Sequence, residues 1–503
     1  MSRPTVARPL IAALVCAIAA VVPTAAQAAD GPRHLHFKLG PIHIRPGQNT
    51  NTFALTRVPV PKVAGYITRF APNLTYENGT VPPVDVLHLH HAVWSVNGET
   101  RWFAGEEKTA FALPAGYGWA SKPGDEWVVN HMIHNLYPSE TDVYITWDID
   151  FVPAASREAK AIRPVTTLWL DTRGGEGYPV FDVLKGSGTR GRYTYPRQAP
   201  LAYGKRDPRP YTGSGNRNSV RVPFDGTLVS AVGHLHPGGL WNDISVGRGS
   251  RRTRIFRSAA HYFEPAGPVS WDVALGVTRP DWRVRVRMGD RLGIEATYDT
   301  RASWYESMGL GTVYLARDDR SGRDPFRSRI DQRERLTHGH LAENDNHGGK
   351  LRAYPDASKL PAALAPDPLT LFVSPGAIQI ARFRYSQGDL AAKGAALRPR
   401  AVPQGQSIAF VNEDAASDIF HTITACAAPC SSSTGIASPL ADALVPFDSG
   451  ELGFGPAGES AAANTASWLT PITLKPGTYN FFCRVHPFMR GAFRVTKLAP
   501  PTG

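Results

Sequence analysis

Gly477-Thr-Tyr479-Asn-Phe-Phe482-Cys483-Arg-Val-His486-Pro-Phe-Met489-Arg-Gly491-Ala-Phe-Arg-Val495 is the stretch on which the reading of this chain turns. It reads as a strand that delivers Cys483, a short loop carrying His486 and Met489, and a second strand that departs. Upstream, Phe410-Val-Asn412-Glu-Asp414 precedes Phe420-His421-Thr-Ile-Thr-Ala-Cys426. One distant imidazole, then a thiol, an imidazole and a thioether on one loop, are the donor types that suit copper. A thiolate and two imidazoles in a trigonal arrangement bind the ion strongly, and a weak axial thioether tunes its potential. The apolar Phe482, Pro487 and Phe488 would keep water from one side of such a site.

The cysteine count points the same way. Residues 1–29 carry the marks of a secretory signal: Arg3 and Arg8, the apolar stretch from Ile11 to Val22, and Ala26-Gln27-Ala28 as a small-residue cleavage site. Cys16 falls inside that apolar stretch and is expected to be discarded with it. Cys426 and Cys430 are close enough to close a small disulfide loop, which leaves Cys483 alone in an oxidising compartment. A lone thiol there is a hazard unless something, such as a metal, occupies it. No later apolar run approaches the roughly 20 residues needed to span a bilayer. The expected location is therefore secreted or extracytoplasmic, at the cell envelope or in a periplasm, without a membrane span.

A length of 503 residues calls for several domains, and 42% hydrophobic with 19% charged residues describes a globular chain. Its 43 Pro and 47 Gly residues, with few long amphipathic patterns, favour short strands and turns, so the fold class is expected to be mainly β. The clearest alternation is Asp142-Val143-Tyr144-Ile145-Thr146-Trp147-Asp148-Ile149, apolar at each odd position. The formal charge of +12 is dispersed, without a basic stripe interleaved with aromatics, so no nucleic-acid partner is expected. The expected division is a signal over 1–29, β domains over 30–158 and 159–318, a linker over 319–365 and a third β domain over 366–497. The histidine-containing stretch 336–347 in that linker reads as a solvated loop.

The order of His421, Cys483, His486 and Met489 resembles the cupredoxins, and the tight Cys-x-x-His-Pro-Phe-Met loop is most similar to that of amicyanin. The resemblance implies a Greek-key β-sandwich holding a type 1 copper through those four residues.

A second set of ligand types lies upstream. Val86-Leu-His88-Leu-His90-His91-Ala-Val93-Trp and Asn130-His131-Met-Ile-His134-Asn fall in the first β domain, and Ala231-Val-Gly-His234-Leu-His236-Pro-Gly-Gly239 in the second. Trp304-Tyr-Glu306-Ser-Met308 follows, after Gly289-Asp290-Arg-Leu292 and Ala296-Thr-Tyr298. His234 and His236 share one face of a strand, as do His88 and His90. This order resembles the copper type II, ascorbate-dependent monooxygenases, of which peptidylglycine hydroxylating monooxygenase and dopamine β-monooxygenase are familiar members. The resemblance covers roughly residues 40 to 318 and implies two jelly-roll-like β-sandwich domains with two further mononuclear coppers. His90 and His91, with either His131 or His134, would hold one. His234, His236 and Met308 would hold the other, where a soft thioether favours Cu(I), the state that binds dioxygen. His88 is a substitute candidate. The departures are the absence of cysteine from residues 30–365, Ala296 where a family cysteine is expected, and Val232, Leu310 and Thr312 where peptide-binding groups stand in the peptide-amidating members. A peptidylglycine substrate is therefore not expected.

These readings combine into an exported copper-binding redox protein, a monooxygenase-like enzyme fused to an electron-transfer domain. Its partners would be an electron donor or acceptor protein or a small reductant, together with a small-molecule substrate and dioxygen. The alternative is a non-enzymatic copper-trafficking or electron-transfer protein.

Overall fold

The structure is a computed structural model. It describes residues 31–48, 54–173, 179–183, 185–198, 218–263, 271–301, 304–336, 354–362, 376–417, 419–426, 446–450, 452–453, 465–483, 485–486 and 488–497. Residues 1–29, Cys430, Pro487 and the stretch 337–347 lie outside the described residues.

The chain is nearly all β, as the composition implies, and its strands form packed sheets. In the first unit the alternating strand Thr141–Pro153 lies between Arg33–Ile44 and Gly65–Thr75, all antiparallel. Val143, Ile145, Trp147 and Ile149 are fully buried, so the period-2 pattern marks the core face. Across that core lies a four-stranded sheet in the order Thr56–Arg57, Trp127–Asn135, Leu87–Val96, Glu99–Ala104. Trp94, Trp102, Trp119, Trp127 and Trp147 fill the space between the two sheets. The other face of Arg33–Ile44 carries His34, His36 and His43, which engage Asp150, Asp148 and Asp142 at 2.9–3.0 Å. Those three histidines are surface partners of carboxylates.

The second unit pairs Trp304–Arg317 with Arg163–Asp171 on one side and Gly226–Leu235 on the other. Arg291–Asp299, Gly239–Arg248 and Arg251–Tyr262 form the facing sheet. A short parallel pairing of Arg163 with Tyr117 joins the two units, and Val232, Val277 and Tyr314 belong to the same buried cluster as the tryptophans. Residues 319–336 of the segment expected as a linker pack on this second unit. Glu334–Leu336 pairs with Val273–Thr278, Ile330 is buried, and Arg248 bridges Asp290 and Asp324. Asp324 and Glu334 are ion-pair partners of Arg248 and His261 in the second unit, so these charges do not mark free chain.

The third unit stacks two four-stranded sheets. One runs Arg384–Tyr385, Ile378–Ala381, Ala409–Asn412, Ser467–Leu469, and the other Arg400–Pro403, Arg490–Thr496, Gly477–Phe482, Thr424–Cys426. Phe410, Phe481 and Phe493 centre its core, and Cys483 and Met489 belong to the same buried cluster.

Candidate metal centre

Strand Gly477–Phe482 ends directly at Cys483, and the loop beyond it is closed by Cys483 N–H donating to Met489 O at 3.2 Å and Met489 N–H to His486 O at 2.9 Å. That closure aims both Cys483 and His486 inward. His421 is fixed by a two-way backbone pairing with Leu452. Cys483, His421 and His486 are all fully buried. Cys483 Sγ stands 3.7 Å from each of His421 Nδ1 and His486 Nδ1, and the two nitrogens are 3.2 Å apart. The sulfur also accepts the backbone N–H groups of Thr422 and His486, each at 3.3 Å.

The far nitrogen of each imidazole decides which one faces inward. His421 Nε2 donates to Asp414 Oδ2 at 2.9 Å, and His486 Nε2 donates to the backbone carbonyl of Gly47 at 2.8 Å. With the N–H committed outward, each ring turns the lone pair of Nδ1 toward the sulfur. Burial opposes charge on Cys483, yet contact with the His421 and His486 imidazoles holds its thiol well below the usual range. A thiolate with two inward imidazole lone pairs fits a copper ion. Met489 is buried beside Cys483 in the same cluster, where a weak thioether donor would sit. Phe383 packs edge-on to His421 and His486 at 5.6 and 5.1 Å, shielding both rings. Cys426 is disulfide-bonded, and its expected partner Cys430 lies outside the described residues.

Upstream, the histidines are gathered but do not close on a common point. Among the described residues, His421, Cys483 and His486 are the only three His, Cys, Asp or Glu side chains whose ligand atoms all approach within 4.8 Å. Strand Leu87–Val96 shifts register against Trp127–Asn135 between Leu89 and His91. His90 lies 5.0 Å from His236 and 4.9 Å from Trp271 by ring centroids, while His91 Nε2 meets Asn130 Oδ1 at 2.8 Å. His131 is half-buried opposite Ala92. His134 sits opposite His88, their facing nitrogens 3.3 Å apart. Burial pushes His88 down to about 3 and His91 down to about 4, so both are neutral and have lone pairs to offer.

In the second unit His234 and His236 are buried with ring centroids 5.2 Å apart. His234 Nδ1 meets Glu107 Oε1 at 2.9 Å. The Tyr298 hydroxyl takes the backbone N–H of His236 at 3.3 Å and that of Met308 at 2.8 Å, and donates to Met308 O at 2.6 Å. Met308 is buried with Val180 and Leu310.

Sequence reasoning missed four contributors. Asp414, Phe383 and Gly47 lie far from Cys483 in sequence and carry no metal-ligand signature. Glu107 belongs to a Gly-Glu-Glu-Lys stretch that resembles a solvated turn, yet Glu106, Glu107 and Lys108 are all buried, with Lys108 Nζ on Glu106 Oε1 at 2.8 Å. A charged triplet between Trp102-Phe103-Ala104 and Ala110-Phe111 was the available clue.

No family model matches the sequence, and no curated protein matches it. Among solved structures, a Cu-containing nitrite reductase (NirK) from Thermus scotoductus SA-01 is 16% identical at a TM-score of 0.15, over 56% of this chain and 59% of that one. The recombinant N-glycanase F (PNGase F) is 8% identical at 0.25, over 60% and 99%. The PBCV-1 VP54 protein is 6% identical at 0.24, over 56% and 93%. This chain thus aligns with less than two thirds of the reductase, and likenesses this slight assign neither family nor function. Among the described residues no helix is long and apolar enough to cross a membrane.

Proposed function

We propose that this chain is an exported copper redox protein whose third unit transfers electrons at Cys483. The observation that carries the reading is the inward presentation of His421 Nδ1, His486 Nδ1 and Cys483 Sγ, each imidazole held by an acceptor on its other nitrogen. His421, Cys483 and His486 would hold the ion with Met489 as the weak axial donor. Bound there, copper supplies a one-electron couple in a dry site. The protein's own part is to exclude water through Phe383 and the surrounding core and to fix both rings. Rigid rings need little rearrangement when the charge at their centre changes. Export accords with the signal-like residues 1–29 and with disulfide-bonded Cys426. Copper-loaded oxidised protein is expected to show an intense thiolate-to-copper band toward the red end of the visible spectrum, and Cys483→Ser to abolish it with far-UV circular dichroism unchanged. A colourless, copper-loaded wild type overturns the reading.

A specific arrangement favours an enzymatic role for the upstream units. His234 is oriented by a buried carboxylate, and the Tyr298 hydroxyl ties the backbone of His236 to that of Met308. His234, His236 and Met308 would hold a second copper in a monooxygenase-like site, with the His90/His91 region supplying another. Reduced protein is then expected to consume dioxygen in a substrate-dependent way. Met308→Ala should lower that turnover at least tenfold, and unchanged turnover would remove the enzymatic reading while leaving the Cys483 centre intact.

A further inference from the structure

Away from the histidines, the chain from Ser321 to Arg333 runs along the short strand Val284–Val286 of the second unit. Arg323 pairs with Val284 in parallel, and Arg285 N–H donates to Arg323 O at 2.9 Å. The segment and the approach to that strand enclose a cleft of about 890 Å³. A space of this size takes a small molecule. Trp282 and Ile330, both buried, give the cleft an apolar wall, and the rest of its lining is dominated by charge.

Four guanidiniums, from Arg283, Arg323, Arg329 and Arg333, face two carboxylates, from Asp281 and Asp331. Both carboxylates are engaged. Asp331 Oδ2 accepts Arg333 Nε–H at 2.9 Å and Nη2–H at 2.7 Å, and Asp281 lies 3.9 Å from both Arg333 Nη2 and Arg279 Nε. Arg283, Arg323 and Arg329 have no carboxylate at ion-pair distance among the described residues. Arg283 Nη1 donates instead to the carbonyls of Pro280 and Trp282 at 2.9 and 2.7 Å, with its guanidinium 4.9 Å over the Tyr117 ring. Carbonyls fix a guanidinium in place without cancelling its charge. Arg323 and Arg329 are exposed, and neither side chain bonds another group among the described residues. Three positive groups on one concave surface repel one another and focus a positive potential into the space they share. An oxyanion placed there relieves the repulsion and accepts the paired N–H groups of the forks.

We propose that this cleft binds a small polyvalent oxyanion, a phosphomonoester or a dicarboxylate, between Arg283, Arg323 and Arg329. Arg283 is the fixed contact, and the two exposed arginines fold onto the ligand from the opposite side. Arg333 stays with Asp331, and the apolar wall of Trp282 and Ile330 receives the uncharged part of the ligand. None of the candidate copper ligands takes part, so the inference is independent of the Cys483 reading.

The test is titration calorimetry of the full chain at low ionic strength, with glycerol 3-phosphate and succinate as separate probes. One-to-one binding of at least one probe is expected, with a dissociation constant below about 1 mM. Binding of the phosphate ester alone assigns a phosphate ligand, and binding of succinate alone a dicarboxylate. Arg323→Ala and Arg329→Ala should each weaken binding severalfold, and the double variant at least tenfold. Thermal unfolding should stay unchanged, because neither side chain holds another group. Arg398→Ala, which removes an exposed arginine of the third unit, should bind as wild type does, and so should Cys483→Ser. Absence of binding by both probes overturns the inference. So does binding that survives the double variant, or an equal loss in Arg398→Ala, which would assign the effect to overall charge.

Discussion

The carboxylate of Asp414 shows how much one side chain outside the candidate ligand set can govern. It accepts His421 Nε2–H at 2.9 Å and the backbone N–H groups of Arg382 and Phe383 at 2.6 and 3.0 Å. Burial works against its charge, but the His421 imidazole and those two N–H groups hold it below the ordinary carboxylate range. It thereby fixes which nitrogen of His421 faces inward, and through the Phe383 N–H it also fixes the ring that shields the site. Asp414→Ala frees the His421 ring and is expected to cost about 10–100-fold in copper affinity, as losses of such supporting partners do. Competition with a chelator of known affinity measures it. Unchanged affinity would mean that packing alone holds the ring. The candidate ligand types at the end of the chain were legible because Cys483, His486 and Met489 sit on one seven-residue loop, where spacing is geometry. Asp414, although close to His421 in sequence, looked like any turn residue, because its value comes from burial that spacing does not reveal.

At the scale of elements, the decisive join is the turn after strand Arg33–Ile44. Gly47 adopts φ +58°, and a Cβ there would stand 1.8 Å from the Phe383 ring and 3.0 Å from His486 Nε2. A side chain must therefore move the very groups that shield and hold the centre. Gly47→Ala is expected to cost about 1–3 kcal/mol through overpacking, plus up to about 1 kcal/mol for the left-handed backbone. It should also displace the visible band, because its nearest neighbours are Phe383 and His486. Thermal unfolding and an absorption spectrum of the same sample check both, and an unshifted band would show that the contact is incidental. Strand Thr141–Pro153 was readable from alternation alone, since one face meets tryptophans and the other carries carboxylates. The region 319–336 was not. Its charges satisfy distant partners, such as Arg248 with Asp324 and Glu334 with His261, and no local pattern distinguishes a paired charge from a solvated one.

Across the whole molecule, the first two units are tied together by shared apolar packing and by a buried polar contact. The Tyr117 hydroxyl donates to Asp319, which burial disfavours as an anion but which Tyr117 and the Ser321 N–H hold below the ordinary carboxylate range. A carboxylate depressed in the folded state contributes stability in full above its unfolded pKa, near about 4, and loses it as pH falls through the lower folded value. The stability gap between wild type and Asp319→Asn, about 1–3 kcal/mol for a hydrogen bond to a charged group, is therefore expected to be widest near neutrality and to shrink below about pH 4. Denaturant unfolding at several pH values reads it, and a gap that does not change with pH would assign the effect to packing. The contact at Gly47 carries one more consequence. His421, Cys483 and His486 are fully buried, and His486 Nε2 meets the Gly47 carbonyl of the first unit. For the copper centre proposed above, exchange of the ion with solvent would therefore need the packing around His486 to open. Exchange of bound metal against a chelator is expected to run faster in Gly47→Ala than in wild type, and equal rates would show that the first unit does not guard the centre.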